Sequence, residues 1–168
     1  MLIRAADSVL VIIDMQERLV PAMQAPARTI RNARTLMACA QDPAGLGQTV
    51  PELKPAPGTA VLSKMHFSCM EDADFAEHFR GLGRKQAVLA GMEAHVCVLQ
   101  TAASLIEEGY EVFVVSDATA SRTLESEQAC IARLSAAGAG IATTEMVAFE
   151  WLGRAGTAAF KKLLPLIK

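Results

Sequence analysis

The sequence predicts an α/β domain of three layers, in which helices cover both faces of a mostly parallel β-sheet. Short, nearly continuous apolar runs alternate along the chain with segments of helical periodicity. Such runs are typical of strands that are buried on both faces of a parallel sheet. The 168 residues, of which 52% are hydrophobic, suffice for a full core, and we assign residues 1–168 to a single domain.

The first half of the chain is interpreted as two strands and two helices. Ser8–Ile13 is a near-continuous apolar run and predicts a buried strand. Pro26 opens the helix Ala27–Ala40, in which apolar residues recur at helical spacing. Thr59–Leu62 predicts a second short strand, and Phe75–Leu82 predicts a short amphipathic helix that is closed by glycines.

The second half repeats the alternation of strand and helix. Strands are predicted at Gln86–Ala90, Glu111–Val115 and Ala139–Thr143, and helices at Met92–Ile106, Leu124–Ala137, Glu145–Trp151 and Thr157–Ile167. Gly109 stops the first of these helices, and the polar residues Asp117–Arg122 are interpreted as a cap for the second. This order favours a parallel sheet with helices on both faces.

Composition and charge argue against several classes of function. A net charge of −2 provides no broad basic surface for nucleic acid, and no apolar run approaches the roughly 20 residues that span a bilayer. The first residues lack the cleavage site of a signal peptide. Four scattered cysteines without metal-binding spacing are typical of reduced thiols, so we expect a cytoplasmic protein. The mean hydropathy of +0.28 leaves apolar surface for a homo-oligomer interface.

Three reactive side chains lie at the carboxyl ends of predicted strands. Asp14 follows the first strand, Lys64 follows the second, and Cys97 lies where the third strand passes into a helix. Each has an ordinary explanation by itself. Asp14 can be a helix N-cap, Lys64 an exposed charge at a strand end, and Cys97 a small core residue.

Together, the three side chains favour covalent catalysis. Parallel strands end at one edge of the sheet, where open α/β sheets bind their ligands, so the three groups can converge there. An ammonium and a helix N-terminus both lower the pKa of a neighbouring thiol. A carboxylate beside the thiol can accept its proton and return it to a leaving group.

Four motifs carry a resemblance to a known family. They are DMQ at Asp14–Gln16, SK at Ser63–Lys64, GMEAHVCV at Gly91–Val98 and SDATASR at Ser116–Arg122. With them the chain resembles the isochorismatase-like cysteine hydrolases, which include isochorismatase, nicotinamidase, N-carbamoylsarcosine amidohydrolase and ureidoacrylate hydrolase. The likeness is strongest to the branch of isochorismatase-domain-containing proteins. It implies a Rossmann-like hydrolase fold and cleavage of a small amide-like or related substrate, at a C–N bond other than a peptide bond.

The resemblance also implies roles for individual residues. Cys97 would attack a carbonyl carbon, Asp14 would shuttle the thiol proton, and Lys64 would hold the pair and favour the thiolate. A cis peptide would join Met92 to Glu93, and the N–H groups of Glu93 and Cys97 would form the oxyanion hole. Water would then cleave the thioester. The candidates for lining the substrate pocket are Gln16, His66, Phe67 and Met92.

In two places the chain departs from the family pattern. Nicotinamidases hold a metal through an Asp/His/His set, whereas His66, His78 and His95 form no matching cluster here, so we expect neither a metal nor a cofactor. The other departure lies in the Gly- and Pro-rich residues 41–58, which predict a long surface loop. The family has a buried strand before this loop, so either a strand is missing between Ala40 and Gln41 or the loop starts at the opposite edge of the sheet. We favour the missing strand.

Two alternatives to a hydrolase remain open at this stage. The chain can be a non-catalytic oligomeric or regulatory protein that retains the fold and the three side chains. It can also be a redox-responsive protein that uses Cys97, because a thiol of low pKa is readily oxidised. A redox device is expected to have a resolving thiol, and Cys69 is the one on a plausible nearby loop.

Overall fold

A computed structural model of the chain describes residues 1–40, 43–46, 51–54 and 58–167, with residues 43–46 described by their backbone alone. The strands are β1 Ser8–Ile13, β2 Pro43–Leu46, β3 Val61–Leu62, β4 Gln86–Met92, β5 Glu111–Ala120 and β6 Gly140–Ala142. Within the described residues they form one sheet of order β3-β2-β1-β4-β5-β6, and every neighbouring pair is parallel. The predicted α/β fold with a mostly parallel sheet is confirmed.

All the helices except the third begin and end close to their predicted positions. They are α1 Pro26–Cys39, α2 Ala73–Gly81, α3 Leu99–Glu107, α4 Leu124–Ala136, α5 Thr144–Leu152 and α6 Ala158–Ile167. The helices α4 and α5 begin at threonine caps, because the Thr123 and Thr143 side chains accept hydrogen bonds from the N–H groups of Ser126 and Met146. None of the helices in the described part of the chain is long and apolar enough to cross a membrane.

The apolar core is divided by the sheet into two clusters. Alternate residues of β1 contribute to opposite clusters: Val9, Val11 and Ile13 point to one, and Leu10 and Ile12 to the other. The first cluster packs against α2, α3 and α4, and the second against α1 and α5. These three layers explain why the strands are apolar on both faces.

The strand order places a topological switch point between β1 and β4. From β1 the chain runs outwards through β2 and β3, and it then returns to β4 on the other side of β1. A crevice opens at the carboxyl ends of the two strands at such a point, and open α/β sheets bind ligands there. The fold alone therefore predicts that the binding site lies in the region after β1 and β4.

The loop prediction for residues 41–58 is partly wrong. Pro43–Leu46 is a strand between β1 and β3, in the place where the family pattern had suggested a missing strand. Its sequence, PAGL, contains no β-branched or aromatic residue, so pairing with neighbouring strands and not local propensity makes it a strand. Pro51–Leu53 forms a 3-10 turn, while residues 41–42, 47–50 and 55–57 of the predicted loop lie outside the described residues.

Two boundaries in the second half also differ from the prediction. The strand β5 continues to Ala120, so the start of the supposed polar cap is strand, and the cap of α4 is Thr123. The helix predicted from Met92 begins instead with a π-helical turn, Ala94–Val98, that leads into α3. Both differences lie beside the switch point, where β4 and β5 change register.

Candidate active site

A close approach of β1 and β4 builds the floor of the site. Gly91 in β4 adopts a φ of +142°, and a Cβ at this position would lie 2.1 Å from the carbonyl oxygen of Ile13. Only glycine allows this approach. The next residue of β1 is Asp14, which has a φ of +48° and is 6% exposed, so its carboxylate is held at the carboxyl edge of the sheet.

The structure brings Asp14, Lys64 and Cys97 together. The Lys64 Nζ lies 2.5 Å from Oδ2 of Asp14 and 3.5 Å from Sγ of Cys97. Its third contact is the carbonyl oxygen of His66, at 3.2 Å, so the three N–H donors of the ammonium have three acceptors. The side chains of Asp14 and Lys64 are each 8% exposed, and Cys97 is 7% exposed.

The length of the lysine side chain makes this convergence possible. Asp14 follows β1 and Cys97 follows the adjacent β4, but Lys64 follows β3, which is separated from β1 by β2. Neighbouring strands lie about 4.8 Å apart, so the chain at Lys64 is roughly 10 Å from β1. A side chain with four methylenes can cross most of that distance, and the ammonium reaches the Asp14 carboxylate.

The Cys97 thiol is neutral at physiological pH in this environment. Burial, together with the hydrogen bond to Asp14 and the charge of its carboxylate, raises the pKa of Cys97 to about 11, although Lys64 acts in the opposite direction. The expectation of a lowered thiol pKa is therefore wrong for the net effect, although Lys64 acts in the predicted direction. The sequence could not show how completely the sulfur is buried or that a carboxylate contacts it directly.

Lys64 keeps its proton. Burial by itself lowers the pKa of Lys64, but the hydrogen bond and the charge of Asp14 outweigh that effect and raise the pKa overall. The resting site thus contains a neutral thiol and a cationic ammonium that contacts the Asp14 carboxylate.

The loop after Lys64 contains a further acid that the sequence analysis did not identify. One carboxylate oxygen of Asp72 accepts hydrogen bonds from the Met65 N–H and from Nδ1 of His66, at 3.3 and 3.2 Å. The other oxygen accepts from the His66 N–H at 3.2 Å. Asp72 directly precedes α2, which in sequence is the signature of an ordinary helix cap.

On the opposite side of the site, ionic and hydrogen-bonded contacts tie the residues after β4 to the end of β5. The Arg122 Nε lies 2.6 Å from a carboxylate oxygen of Glu93, and Nδ1 of His95 lies 2.9 Å from the hydroxyl oxygen of Ser121. The peptide bond that joins Met92 to Glu93 is cis. His95 thus has a hydrogen-bond partner within the fold.

The predicted pocket residues are in different environments. Gln16 is half-buried, and its N–H donates to the carbonyl oxygen of Asp14 at 2.8 Å. His66 and Phe67 are exposed on the loop beside Lys64, and Phe67 is 61% exposed. Met92 has no exposed surface and packs in the core cluster with α1 and α5, so its side chain forms part of the core and not of an accessible pocket wall.

The cysteines and the histidines of the described chain form no other assembled centre. Cys39, Cys69, Cys97 and Cys130 are all free thiols. Among the described residues, no three His, Cys, Asp or Glu side chains are grouped so that they could hold a metal ion.

This combination of fold and site defines a class, namely an α/β protein of hydrolase-like architecture with its reactive side chains at the switch point. Comparison with known proteins then identifies the family. Residues 38–146 match the family model of the isochorismatase domain, a span that includes Lys64 and Cys97 but begins after Asp14. The chain belongs to the isochorismatase family.

A curated relative is similar along almost the whole chain. Isochorismatase domain-containing protein 1 of Danio rerio is 34% identical over 174 residues, which cover 97% of this chain and 62% of the relative. The chain therefore spans about three fifths of the length of that relative.

Solved structures share the fold over a similar extent. The MAR1 ribonuclease of Caenorhabditis elegans has a TM-score of 0.92 and 29% identity, and the match covers 99% of this chain and 92% of that one. The YcaC gene product of Escherichia coli, described as an octameric hydrolase of unknown specificity, has a TM-score of 0.92 and 26% identity over 98% of this chain and 90% of its own.

Proposed function

We propose that this protein is a cysteine hydrolase that cleaves a small amide-like or related substrate through a thioester on Cys97. The observation that carries the proposal is the position of the Lys64 ammonium, which contacts both the Asp14 carboxylate and the Cys97 sulfur at the switch point. Membership of the isochorismatase family and the hydrolase likeness of the Escherichia coli structure support it.

In the first half of the reaction, Asp14 acts as the general base. It accepts the thiol proton while the sulfur of Cys97 attacks the carbonyl carbon of the substrate. The carbonyl oxygen becomes an oxyanion, and we assign the N–H groups of Glu93 and Cys97 as its donors. Asp14 then gives the proton to the leaving nitrogen, the C–N bond breaks, and a thioester and a free amine result.

In the second half, water replaces the amine. Asp14 accepts a proton from the water molecule as its oxygen attacks the thioester carbon. Collapse of the second tetrahedral species breaks the C–S bond, the proton returns to the sulfur, and a carboxylic acid leaves. Lys64 stays protonated throughout, because its pKa is raised, and its charge stabilises both the Asp14 carboxylate and the developing thiolate.

These roles of Asp14 and Lys64 fit a Cys97 thiol that is neutral before the reaction. Because the pKa of Cys97 is raised to about 11, few molecules contain a thiolate at pH 7, and a general base is needed at the moment of attack. A protein that relied on a permanent thiolate would not need Asp14 in contact with the sulfur.

The test is turnover of a panel of small amides, carbamates and ureides, with adducts located by mass spectrometry. Cys97→Ser and Asp14→Asn are expected to lose activity by roughly 10³-fold or more, as removal of a nucleophile or its base does in other hydrolases. Cys39→Ser removes a half-buried thiol at the end of α1 and serves as the control with full activity. Activity that survives Cys97→Ser, or that does not depend on Asp14, contradicts the proposal.

The redox alternative has a distinct outcome in the same experiment. Cys69 is completely buried, and burial raises the pKa of its thiol to about 12, which disfavours thiol exchange. If peroxide produces a Cys69–Cys97 disulfide and no substrate is turned over, the redox function replaces the hydrolase.

For its partners, we propose a small-molecule substrate and a homo-oligomer in a cytoplasmic setting. The net charge of −2 is unfavourable for holding a phosphate backbone, so the ribonuclease name of the nematode structure is not extended to this chain. The apolar helix α6 has no buried residue, and the Escherichia coli structure is an octamer, both of which support self-association. Light scattering on the purified protein measures the oligomeric state, and a monomer at micromolar concentration contradicts this proposal.

A further inference from the structure

Lys64 extends from a weakly anchored part of the fold. Its strand, β3, has only two residues, and the side chains that follow Lys64 (Met65, His66 and Phe67) are exposed. Packing therefore does little to fix the main chain around Lys64. Yet the ammonium must stay within hydrogen-bond reach of Asp14 and Cys97 if the site is to work.

The backbone at His66 supplies part of the missing restraint. The His66 carbonyl oxygen accepts a hydrogen bond from the Lys64 ammonium at 3.2 Å. Because an ammonium can rotate freely about its last bond, a fixed third acceptor decides where the other two N–H groups point. The direction of the ammonium thus depends on the conformation of the turn formed by residues 64–66.

Asp72 holds that turn. Its two carboxylate oxygens accept from the N–H groups of Met65 and His66, and Oδ1 also contacts the His66 ring. Burial raises the pKa of Asp72, but these hydrogen bonds outweigh it, so the net pKa is lowered and the carboxylate is charged at neutral pH. Two main-chain donors on one carboxylate fix the turn more firmly than a single bond does.

The geometry of α2 shows that these contacts are not a by-product of helix capping. Asp72 is the N-cap residue of α2, but its carboxylate accepts no hydrogen bond from the first turn of the helix. It turns instead to the preceding loop. The helix behind it is firmly held, because Phe75 and Phe79 of α2 are buried in the core.

We propose that Asp72 is a positioning residue for Lys64: by holding the turn at Met65 and His66, it keeps the ammonium between the carboxylate of Asp14 and the sulfur of Cys97. This inference builds on the proposed function of the site. It assigns to Asp72 no contact with the substrate.

The experiment measures how fast iodoacetamide alkylates Cys97 between pH 7 and pH 11, with the site of alkylation assigned by mass spectrometry. Asp14 and Lys64 are the charged groups that act most strongly on this thiol, and Lys64 lowers its pKa. If Asp72→Ala lets the ammonium move away, the profile shifts to higher pH and alkylation at pH 8 slows about 3- to 10-fold, since one pKa unit changes the thiolate fraction tenfold. Asp72→Asn retains one acceptor oxygen and is expected to give a smaller decrease.

A control variant separates this effect from general damage. Asp74→Ala removes an exposed carboxylate from the first turn of the same helix and is expected to leave alkylation unchanged. Circular dichroism checks that each variant is folded. If Asp72→Ala does not fold, the alkylation profile of Asp72→Asn tests the inference instead.

A double-mutant comparison provides the decisive result. In a Lys64→Met background, Asp72→Ala is expected to have no further effect on alkylation, because its influence passes through the ammonium. An equal slowing in both backgrounds, or a wild-type profile for a folded Asp72→Ala protein, overturns the inference. Alkylation needs no substrate, so the result can be read even if the hydrolase assignment fails.

Discussion

The two sides of the candidate site are fixed by different forces. Cys97 follows β4, a strand of seven residues that are all buried and paired with neighbours on both sides. Lys64 follows β3, an edge strand of two residues whose side chains are exposed or half-buried. The sulfur is thus placed by packing, whereas the ammonium is placed by hydrogen bonds and charge.

This difference suggests how the site can combine rigidity with adjustment. The nucleophile and its base need fixed geometry, and β1 and β4 provide it through close backbone contact at Gly91. The ammonium only needs to remain near both groups, and a loop with exposed side chains can satisfy that while leaving room for a substrate. The effects of mutations on the two sides should therefore differ in their physical cause as well as in their size.

The largest effect is expected for Gly91→Ala on the packed side. The new Cβ would meet the backbone of Ile13 at 2.1 Å, which no side-chain movement can relieve, and the φ of +142° adds strain. We expect a loss of roughly 4 kcal/mol or more in the free energy of unfolding, measured by urea denaturation. Gly83→Ala is the matched control: it has a φ of +63° but no atom within 4 Å of the new Cβ, and it should cost only about 1 kcal/mol.

Lys64→Met is expected to have the next largest effect. It leaves the buried Asp14 carboxylate without its cation, which costs about 3 kcal/mol in other buried pairs. Arg80→Met provides the comparison, because it breaks an ion pair of 2.7 Å with Glu108 that is far more exposed to solvent, and it should cost clearly less than Lys64→Met. Similar losses for both variants in urea denaturation would contradict the burial argument.

Alkaline pH is expected to lower the free energy of unfolding through Cys97, which lies on the side of the site that is fixed by packing. The folded-state pKa of Cys97 is raised from 9.0 to about 11, so this thiol stabilises the fold fully below pH 9, and the contribution is lost as the pH rises towards 11. Between pH 9 and pH 10.5, the free energy of unfolding should fall with rising pH more steeply for the wild type than for Cys97→Ala, by about 1 kcal/mol per pH unit. Lys64 does not affect this comparison. Because the pKa of Lys64 is raised in the folded state, its contribution to the free energy of unfolding is unchanged up to pH 10.5. An unchanged slope would contradict the burial of the thiol.

The smallest effect is expected for Asp72→Asn on the loop side, at acid pH. The pKa of Asp72 is lowered from 3.8 in the folded state. Its contribution to the free energy of unfolding is therefore present above pH 3.8 and is lost as the pH falls through the folded-state pKa. The variant should be about 1 kcal/mol less stable at pH 7, and the difference from wild type should shrink below pH 4. Asp74→Asn should show no such difference at either pH, and a constant deficit for Asp72→Asn down to pH 2 would contradict the assignment.

Much of the fold followed directly from local pattern. The apolar run of β1 and the helical stripe of α1 were predicted almost to the residue. Burial on both faces gives a continuous apolar run, and burial along one side of a helix gives a stripe of helical periodicity. Cys97 and its neighbours were identified in the same way, since they follow such a run. The predictions that failed concern residues that lack such a local pattern. Pro43–Leu46 has no strand-like pattern, and Asp72 looks like an ordinary helix cap until its contacts are known.

By itself, the sequence determined the alternation of strands and helices and the three reactive residues at strand ends, because both are local properties of the chain. The tertiary structure alone decided the strand order, the presence of β2, the reach of Lys64 across it and the raised pKa of Cys97. Each of these depends on which distant segments pack together. Strand pairing and desolvation are energies between residues far apart in the chain, and no window of sequence contains both partners.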